Sequence, residues 1–192
     1  MPSSAWMCAT EPAGRPRPAL WPVPWPACLS LLLAACLLAC VLPARAAELE
    51  AKVKAAYVFH VIKFVDWPAL PGDALTLCIS GNDAVSALLG DLAGKAVKER
   101  PLRILTGLPA DPTQCQVLYV GGPERRWAEL QPRLRGHSVL TVSDQDGFAR
   151  NGGIVGFYPE AGRIRLEINP EAARQANLRI SAKLLELART VP

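Results

Sequence analysis

The side chains best suited to acid–base catalysis near neutral pH are histidines, and this 192-residue chain has two of them. The two histidines, His60 and His137, have no acid or nucleophile nearby in the sequence that would complete a catalytic pair. The signatures GxSxG, GxGxxG and CxxC are absent, and so is the P-loop pattern. The sequence therefore shows no visible catalytic centre and no cofactor site, and an enzyme that uses His60 or His137 is a competing hypothesis.

The cysteines predict covalent structure in this chain. Four of the six lie in the first 40 residues, and the rest of the chain keeps Cys78 and Cys115. Two cysteines in an exported chain favour one disulfide, and two separate buried thiols are the alternative. Their spacing does not match a zinc site, since no histidine pair lies near them. We expect no metal.

The segment Ser143–Gly147 has the sequence SDQDG, which resembles the start of a calcium-binding loop. Its glycine follows the second aspartate directly, and no bidentate acid follows at the required position. A turn capped by its own side chains fits better.

Strand and helix signals alternate along most of the chain. Short apolar runs rich in strand-forming residues lie at Ala74–Ser80, Pro101–Leu105, Gln116–Val120 and Ser138–Val142. Helical segments of about ten residues follow the first and third runs. This alternation predicts an α/β fold: a single-domain layered sheet, partly parallel, flanked by helices and ending in an antiparallel hairpin.

The first helix is predicted from Leu49 to about Val65. Its apolar residues recur at three- and four-residue steps, namely at Leu49, Val53, Ala56, His60 and Phe64. We expect this stripe to face the core, with His60 as a buried or interface histidine.

The hairpin is predicted at Ile154–Tyr158 and Arg163–Ile168. In its second strand three apolar residues alternate with Arg163, Arg165 and Glu167, which predicts one core face and one solvent-exposed charged face. Two capped helices follow, the first beginning at Asn169 and the second at Ser181. The buried stripe of the last helix is expected at Leu184, Leu187 and Ala188.

The first 46 residues have the layout of a secretory signal. Two arginines precede an apolar run, Ala27–Leu42, and the segment Pro43–Ala46 offers a small-x-small cleavage site at its end. The run is shorter than the roughly 20 residues that a spanning helix needs. Lipid attachment at Cys40 and an uncleaved anchor are the alternatives.

Cleavage would leave residues 47–192 as one domain, which is long enough to bury a core. Of the 21 Lys and Arg and 17 Asp and Glu residues, three cations and one acid lie before this domain, so its net charge is small and positive. The charges are interspersed, and there is no basic run. This pattern gives no indication of nucleic-acid binding.

Several segments, in order, resemble the YfiR family of periplasmic regulatory proteins. The resemblance covers about Glu48 to Arg189. The matching segments are KAAYVFHVIKFVDWP (Lys54–Pro68), LTLCISG (Leu75–Gly81), Gln114-Cys115 before VLYV, VLTVSDQDGFARNGGIVGFYPEAGRIRLEINPEAAR (Val139–Arg174) and LRISAKLLELA (Leu178–Ala188).

The resemblance implies a non-enzymatic periplasmic protein that binds the periplasmic sensor domain of an inner-membrane diguanylate cyclase and holds it inactive. It also implies a homodimer and a disulfide between Cys78 and Cys115. A second cysteine pair of the family is missing, because Ala149 and Gly156 stand where those cysteines would lie. Redox control through a second bridge is therefore not expected.

An exposed surface on the last hairpin and final helices would suit such binding. We select Glu167, Asn169 and Arg179 as the polar residues that bind a partner or ligand there. Arg179 and Glu167 are expected to pair with each other or to hold a zwitterionic ligand together. A structural salt bridge beside a helix cap is the competing interpretation. A small-molecule-binding module with a different output is the alternative function.

Overall fold

An eight-stranded sheet organises the fold in the computed structural model, which describes residues 45–70 and 72–191. The strands are β1 (Val65–Asp66), β2 (Leu75–Ser80), β3 (Ala96–Val97), β4 (Arg100–Thr106), β5 (Val117–Val120), β6 (Leu140–Ser143), β7 (Val155–Glu160), β8 (Arg163–Ile168), β9 (Arg179–Ile180) and β10 (Arg189–Thr190). The signal-peptide prediction, with its alternative at Cys40, falls almost wholly outside the described residues.

The strand order in the large sheet is β10-β8-β7-β6-β5-β2-β4-β3, and β1 pairs with β9 in a separate antiparallel ladder. The five central strands, from β4 across to β7, are mutually parallel. The hairpins β7–β8 and β3–β4 are antiparallel, whereas β10 runs parallel to β8. The predicted α/β class, with a partly parallel sheet and a C-terminal antiparallel hairpin, is confirmed.

Five helices accompany the sheet in the described residues. They are α1 (residues 45–63), α2 (Ala84–Leu89), α3 (Glu124–Leu134), α4 (Pro170–Gln175) and α5 (Ala182–Glu186). The two predicted caps are present: the side chains of Asn169 and Ser181 accept hydrogen bonds from the first turns of α4 and α5, and Asp83 caps α2 in the same way. These caps satisfy backbone donors that have no partner inside a helix.

Both faces of the sheet are covered, as expected for parallel strands. One core contains residues of α1 and α2 together with sheet residues such as Leu77 and Val117. The second core lies on the opposite face, where Trp127, Leu130 and Leu134 of α3 pack on the sheet. The molecule is therefore a three-layer arrangement, and the near-continuous apolar runs of β2 and β5 reflect burial on both sides.

The predicted core face of α1 is wrong at four of its five residues, and only Phe64 is partly buried against the core. Leu49 is 63% exposed, Val53 is 37% exposed, and Ala56 and His60 are also exposed. The buried face instead comprises Ala51, Ala55, Val58, Val61 and Ile62. Both stripes have helical period, so periodicity cannot distinguish them.

The last helix is shorter than predicted. It ends at Glu186, and Leu187 is 68% exposed rather than buried. The chain turns at once into β10, whose two residues pair with Glu167 and Ile168. Only Leu184 of the predicted stripe is fully buried.

The disulfide between Cys78 and Cys115 is present, with a Cα–Cα distance of 5.8 Å that lies in the usual range. Cys78 lies in β2, and Cys115 lies just before β5, the direct neighbour of β2. Both are fully buried in the core beneath α3. The bridge thus joins two central strands.

Candidate recognition surface

Glu167 lies on β8 between β7 and β10. The residue is only 2% exposed, so the predicted exposed charged face is wrong at this position. Its Oε1 accepts hydrogen bonds from Arg150 Nε at 3.1 Å and Nη2 at 2.6 Å, and Arg189 Nη1 lies 3.8 Å away. The carboxylate is therefore buried but held by two cations.

The burial of Glu167 follows from the β6–β7 connection, residues 144–154. This segment folds across the face of the sheet that was expected to meet solvent. A Cβ placed on Gly156 would lie 3.4 Å from the backbone nitrogen of Ala149, so the connection lies directly on β7. Arg150 then extends from the connection over Glu167.

Asn169 is also buried, at 5% exposure, and it contacts the same connection. Its Nδ2 donates to the carbonyl oxygen of Ala149 at 3.0 Å, and its Oδ1 accepts from Ala172 N at 2.8 Å. One side chain thus caps α4 and binds the β6–β7 connection. Glu167 and Asn169 are brought together through the consecutive residues Ala149 and Arg150.

Arg179 lies elsewhere, which contradicts its predicted pairing with Glu167. It belongs to β9, where it pairs with Asp66 of β1, and it is exposed. In the described part of the chain no ion pair joins Arg179 to Glu167. The cause is the reversal after α4, where Asn177 has a φ of 56° and directs the chain towards β1.

Arg179 lines a groove of ≈ 630 Å³ beside the β1–β9 ladder. The groove is formed by Asp66, Trp67, Pro68, Arg174, Asn177, Leu178 and Arg179. Trp67 is held in place because its Nε1 donates to the carbonyl oxygen of Gln116 at 3.2 Å. Two guanidinium groups beside an indole favour an anionic or zwitterionic group, by charge and by stacking.

The groove's charged residues differ in how far they are already paired. Asp66 pairs with Lys98, and Arg174 pairs with Glu171 on the same helix. Arg179 has no ion pair with any residue in the described ranges. Its guanidinium is therefore the groove's most available cation.

Residues other than the three candidates complete the charged face of the hairpin. Arg189 lies over the ring of Tyr158 at 3.8 Å, and its Nη2 lies 3.3 Å from Glu160 Oε1. Arg165 Nε lies 3.4 Å from the other oxygen of Glu160. Arg189 was not foreseeable because β10, which places it beside Glu167, has no strand signal of its own.

A second polar cluster lies near the carboxyl ends of β5 and β6. Burial raises the pKa of the Tyr119 hydroxyl well above its usual value, and the nearby charges of Asp144 and Asp83 raise it further. Burial alone would lower the pKa of Lys54, but its ion pairs with Glu50 at 2.7 Å and Asp144 at 3.4 Å outweigh burial, so its pKa is raised. This cluster connects α1 to the sheet.

Within residues 45–70 and 72–191, no helix has the length and apolar character required to cross a membrane. The same residues contain no group of three or more His, Cys, Asp or Glu side chains arranged to hold a metal ion.

Comparison with known protein families matches residues 51–189 to the family described as YfiR/HmsC-like. The chain belongs to the YfiR/HmsC-like family. This finding confirms the family suggested by the sequence. The matched segment begins in α1 and ends in β10, and it includes both bridged cysteines and the candidate residues Glu167, Asn169 and Arg179.

Proposed function

We propose that this YfiR/HmsC-like protein is a non-enzymatic periplasmic regulator. In this proposal it binds the periplasmic sensor domain of an inner-membrane diguanylate cyclase and holds the enzyme inactive, which lowers cyclic di-GMP signalling and biofilm formation. The family match over residues 51–189 carries the proposal. The buried disulfide supports an oxidising compartment, and the signal-like first 46 residues agree with export.

Such a regulator acts through its different affinities for two states of its partner. Moving a cyclase from almost fully active to almost fully inactive needs a preference of about 5.5 kcal/mol for the inactive state. A surface with a few charge-assisted hydrogen bonds can supply a preference of this size. No chemical step by the regulator is required.

Glu167, Asn169 and Arg179 have different parts in this proposal. Arg179 contacts the partner or ligand directly, because it is exposed and lines the groove. Glu167 and Asn169 are buried, so they act by holding the β6–β7 connection and Arg150 in place. The recognition surface then consists of the groove and the charged face of the hairpin.

The binding proposal is tested by a crosslinking pull-down from the periplasm, with the mature protein as bait. We expect a membrane-bound diguanylate cyclase among the captured proteins and raised cyclic di-GMP in a deletion strain. Capture of no cyclase, together with unchanged cyclic di-GMP, would contradict the proposal.

Arg179→Ala tests the role of the groove. We expect it to weaken binding of the captured cyclase's periplasmic domain by roughly tenfold to a hundredfold, since one charge-assisted hydrogen bond is worth roughly 1.5–3 kcal/mol. Calorimetric titration measures the effect, and thermal unfolding should be unchanged because Arg179 is exposed. The matched control is Arg125→Ala, which removes an exposed arginine of α3 that lies outside both the groove and the hairpin. Equal effects of the two variants would place the contact elsewhere.

We also propose that the protein is a homodimer. The resemblance to the YfiR family supports this state. The dimer need not persist in the complex with the cyclase.

A small-molecule-binding module with a different output is the second candidate. The groove at Trp67 and Arg179 favours it, since a volume of ≈ 630 Å³ suits a small ligand. Native mass spectrometry of protein purified from the periplasm tests this function. A bound anionic or zwitterionic metabolite, lost in Arg179→Ala and retained in Arg125→Ala, would support it.

A further inference from the structure

We propose that two copies of this chain associate through the outer face of α1, with the two helices antiparallel. The inference rests on the homodimeric state proposed above and identifies its surface. The face is formed by Leu49, Val53, Ala56 and His60, which we call the outer stripe. Each of these residues is exposed, although three of the four are apolar.

The outer stripe lies opposite the buried face of α1. At about 100° per residue, its members project within roughly 60° of one another, whereas the residues that pack on the sheet project to the other side. A helix that is apolar on two opposite faces is normally covered on both. The sheet covers one face of α1, and no described residue buries the other.

The stripe also stands out among exposed apolar residues. Leu49 and Val53 lie one turn apart on it, at 63% and 37% exposure. The other large apolar side chains that are exposed in the described residues are Leu105 and Leu108 near the end of β4 and Leu187 after α5. Adjacent exposed apolar residues on one helix face indicate an interaction site more strongly than isolated ones.

Charge complementarity identifies the occupant as a second copy. If two α1 helices cross antiparallel at Ala56, residue 49 of one copy lies opposite residue 63 of the other. Glu48 and Lys63 project to the same flank of the stripe, so each Glu48 meets the Lys63 of the second copy. The contact is isologous, so the twofold axis that relates the copies generates two equivalent Glu48–Lys63 contacts.

Both charges are available for this contact. Lys63 lies over the ring of Phe59 at 4.1 Å, and it forms no ion pair within the described part of the chain. Glu48 pairs only with Lys52 one turn away, and both side chains of that pair are more than half exposed. Exposed pairs of this kind contribute little, so exchange of partners costs little.

The same charges disfavour a parallel arrangement. A parallel pair would place Glu48 of one copy and Lys63 of the other at opposite ends of the contact, about 22 Å apart along the helices, so neither charge would meet its opposite. Ala56 at the crossing point has a small side chain and lets the antiparallel helices approach closely. The chain's own sequence therefore specifies both the partner and the direction.

Sedimentation equilibrium of the mature protein, as purified from the periplasm, tests the surface. We expect wild type to be dimeric and Val53→Glu to be monomeric at the same concentration, because the new carboxylates would be buried against the second copy. The matched control is Leu187→Glu, which places a charge on an apolar side chain that is more exposed than Val53 and lies off the stripe. Circular dichroism should be unchanged in both variants.

A charge exchange tests the antiparallel pairing. Glu48→Lys and Lys63→Glu should each weaken self-association by roughly threefold to tenfold, because each sets like charges across the contact. An equimolar mixture of the two single variants should form heterodimers at close to wild-type affinity, since both contacts again join opposite charges. The double variant Glu48→Lys/Lys63→Glu should likewise recover.

The outcomes separate this inference from the proposals on which it rests. A dimer that persists in Val53→Glu overturns the surface and leaves the homodimer standing. A wild-type protein that is monomeric at all concentrations overturns both. If the mixture of charge variants fails to associate while Val53→Glu is monomeric, the antiparallel arrangement is wrong. If wild type is monomeric and Val53→Glu loses the cyclase's periplasmic domain, the stripe binds the cyclase and not a second copy.

Discussion

At the scale of single residues, Glu167 owes its role to neighbours far away in the sequence. Alternation along β8 predicts a solvent-exposed carboxylate at this position, yet its side chain is only 3% exposed. Arg150 belongs to the β6–β7 connection and Arg189 to β10, and both guanidinium groups lie beside the Glu167 carboxylate. A buried carboxylate that receives two hydrogen bonds from one guanidinium fixes the position of both segments.

We predict that Glu167→Ala lowers the free energy of unfolding by about 1–3 kcal/mol, since it leaves Arg150 and Arg189 without their shared partner. The lower end of this range applies if solvent reaches the partly exposed guanidinium of Arg150. Urea unfolding measures the change. Glu171→Ala is the control, because its pair with Arg174 is largely exposed, and it should cost less than about 1 kcal/mol. Similar losses in both variants would mean that Glu167 has no special structural role.

Ala149 and Gly156 lie close enough together that cysteines at the two positions could form a disulfide. A Cβ built on Gly156 lies 3.7 Å from the Cβ of Ala149, which is close to the mean distance in disulfides. We predict that Ala149→Cys/Gly156→Cys forms a bridge under oxidising conditions and stabilises the protein by about 2 kcal/mol. Thiol titration and thermal unfolding, with and without reductant, would check this. Free thiols in the oxidised double variant would contradict the prediction.

At the scale of elements, the sequence was informative where local chemistry decides the structure. The caps at Asn169 and Ser181 were predictable because each side chain accepts a hydrogen bond from the backbone nitrogen three residues further on. The core face of α1 was not, because the helix carries two apolar stripes and only tertiary packing chooses between them. The two-residue strands β9 and β10 have no pattern of their own, so the partners of Arg179 and Glu167 were not predictable either.

Lys54 attaches α1 to the end of β6 through Asp144. Its raised pKa means that the folded state binds the lysine proton more tightly than the unfolded state does. The stabilisation is complete below the ordinary lysine pKa of about 10.5 and is lost as pH rises through the higher folded-state value.

We therefore predict that Lys54→Met lowers the free energy of unfolding by about 0.5–1 kcal/mol at pH 7 and that the difference shrinks above about pH 10.5. Urea unfolding of both proteins at neutral and alkaline pH measures it. Lys52→Met is the control, because its pair with Glu48 is exposed. If the difference in unfolding free energy between wild type and Lys54→Met grows with pH, the Lys54 charge does not stabilise the fold through Asp144.

At the scale of the whole molecule, the sheet and the disulfide support each other. Alternating strands and helices were enough to predict a layered, partly parallel sheet, because parallel strands need crossover helices. The order of the strands in the sheet could not be predicted from the sequence. The structure shows that β2 and β5 are direct neighbours, with β4 on the far side of β2, so the bridge joins adjacent central strands.

We predict that Cys78→Ala/Cys115→Ala lowers the free energy of unfolding by about 3–4 kcal/mol, the loop-entropy value for cysteines 37 residues apart. The double variant avoids leaving a lone thiol in the core. Its melting temperature should not change on adding reductant, whereas that of wild type should fall. Equal melting temperatures for wild type with and without reductant would show that the bridge contributes no stability.

The bridge has a further consequence for a chain exposed to proteases. The segment between the cysteines contains α2, β3 and β4, and its turn at Lys98 and Glu99 is exposed. A nick in that turn would cut the backbone without releasing either fragment, since Cys78 and Cys115 lie on opposite sides of the cut. β3 and β4 would stay tethered to the sheet edge, and the two pieces would separate only once a reductant opened the bridge.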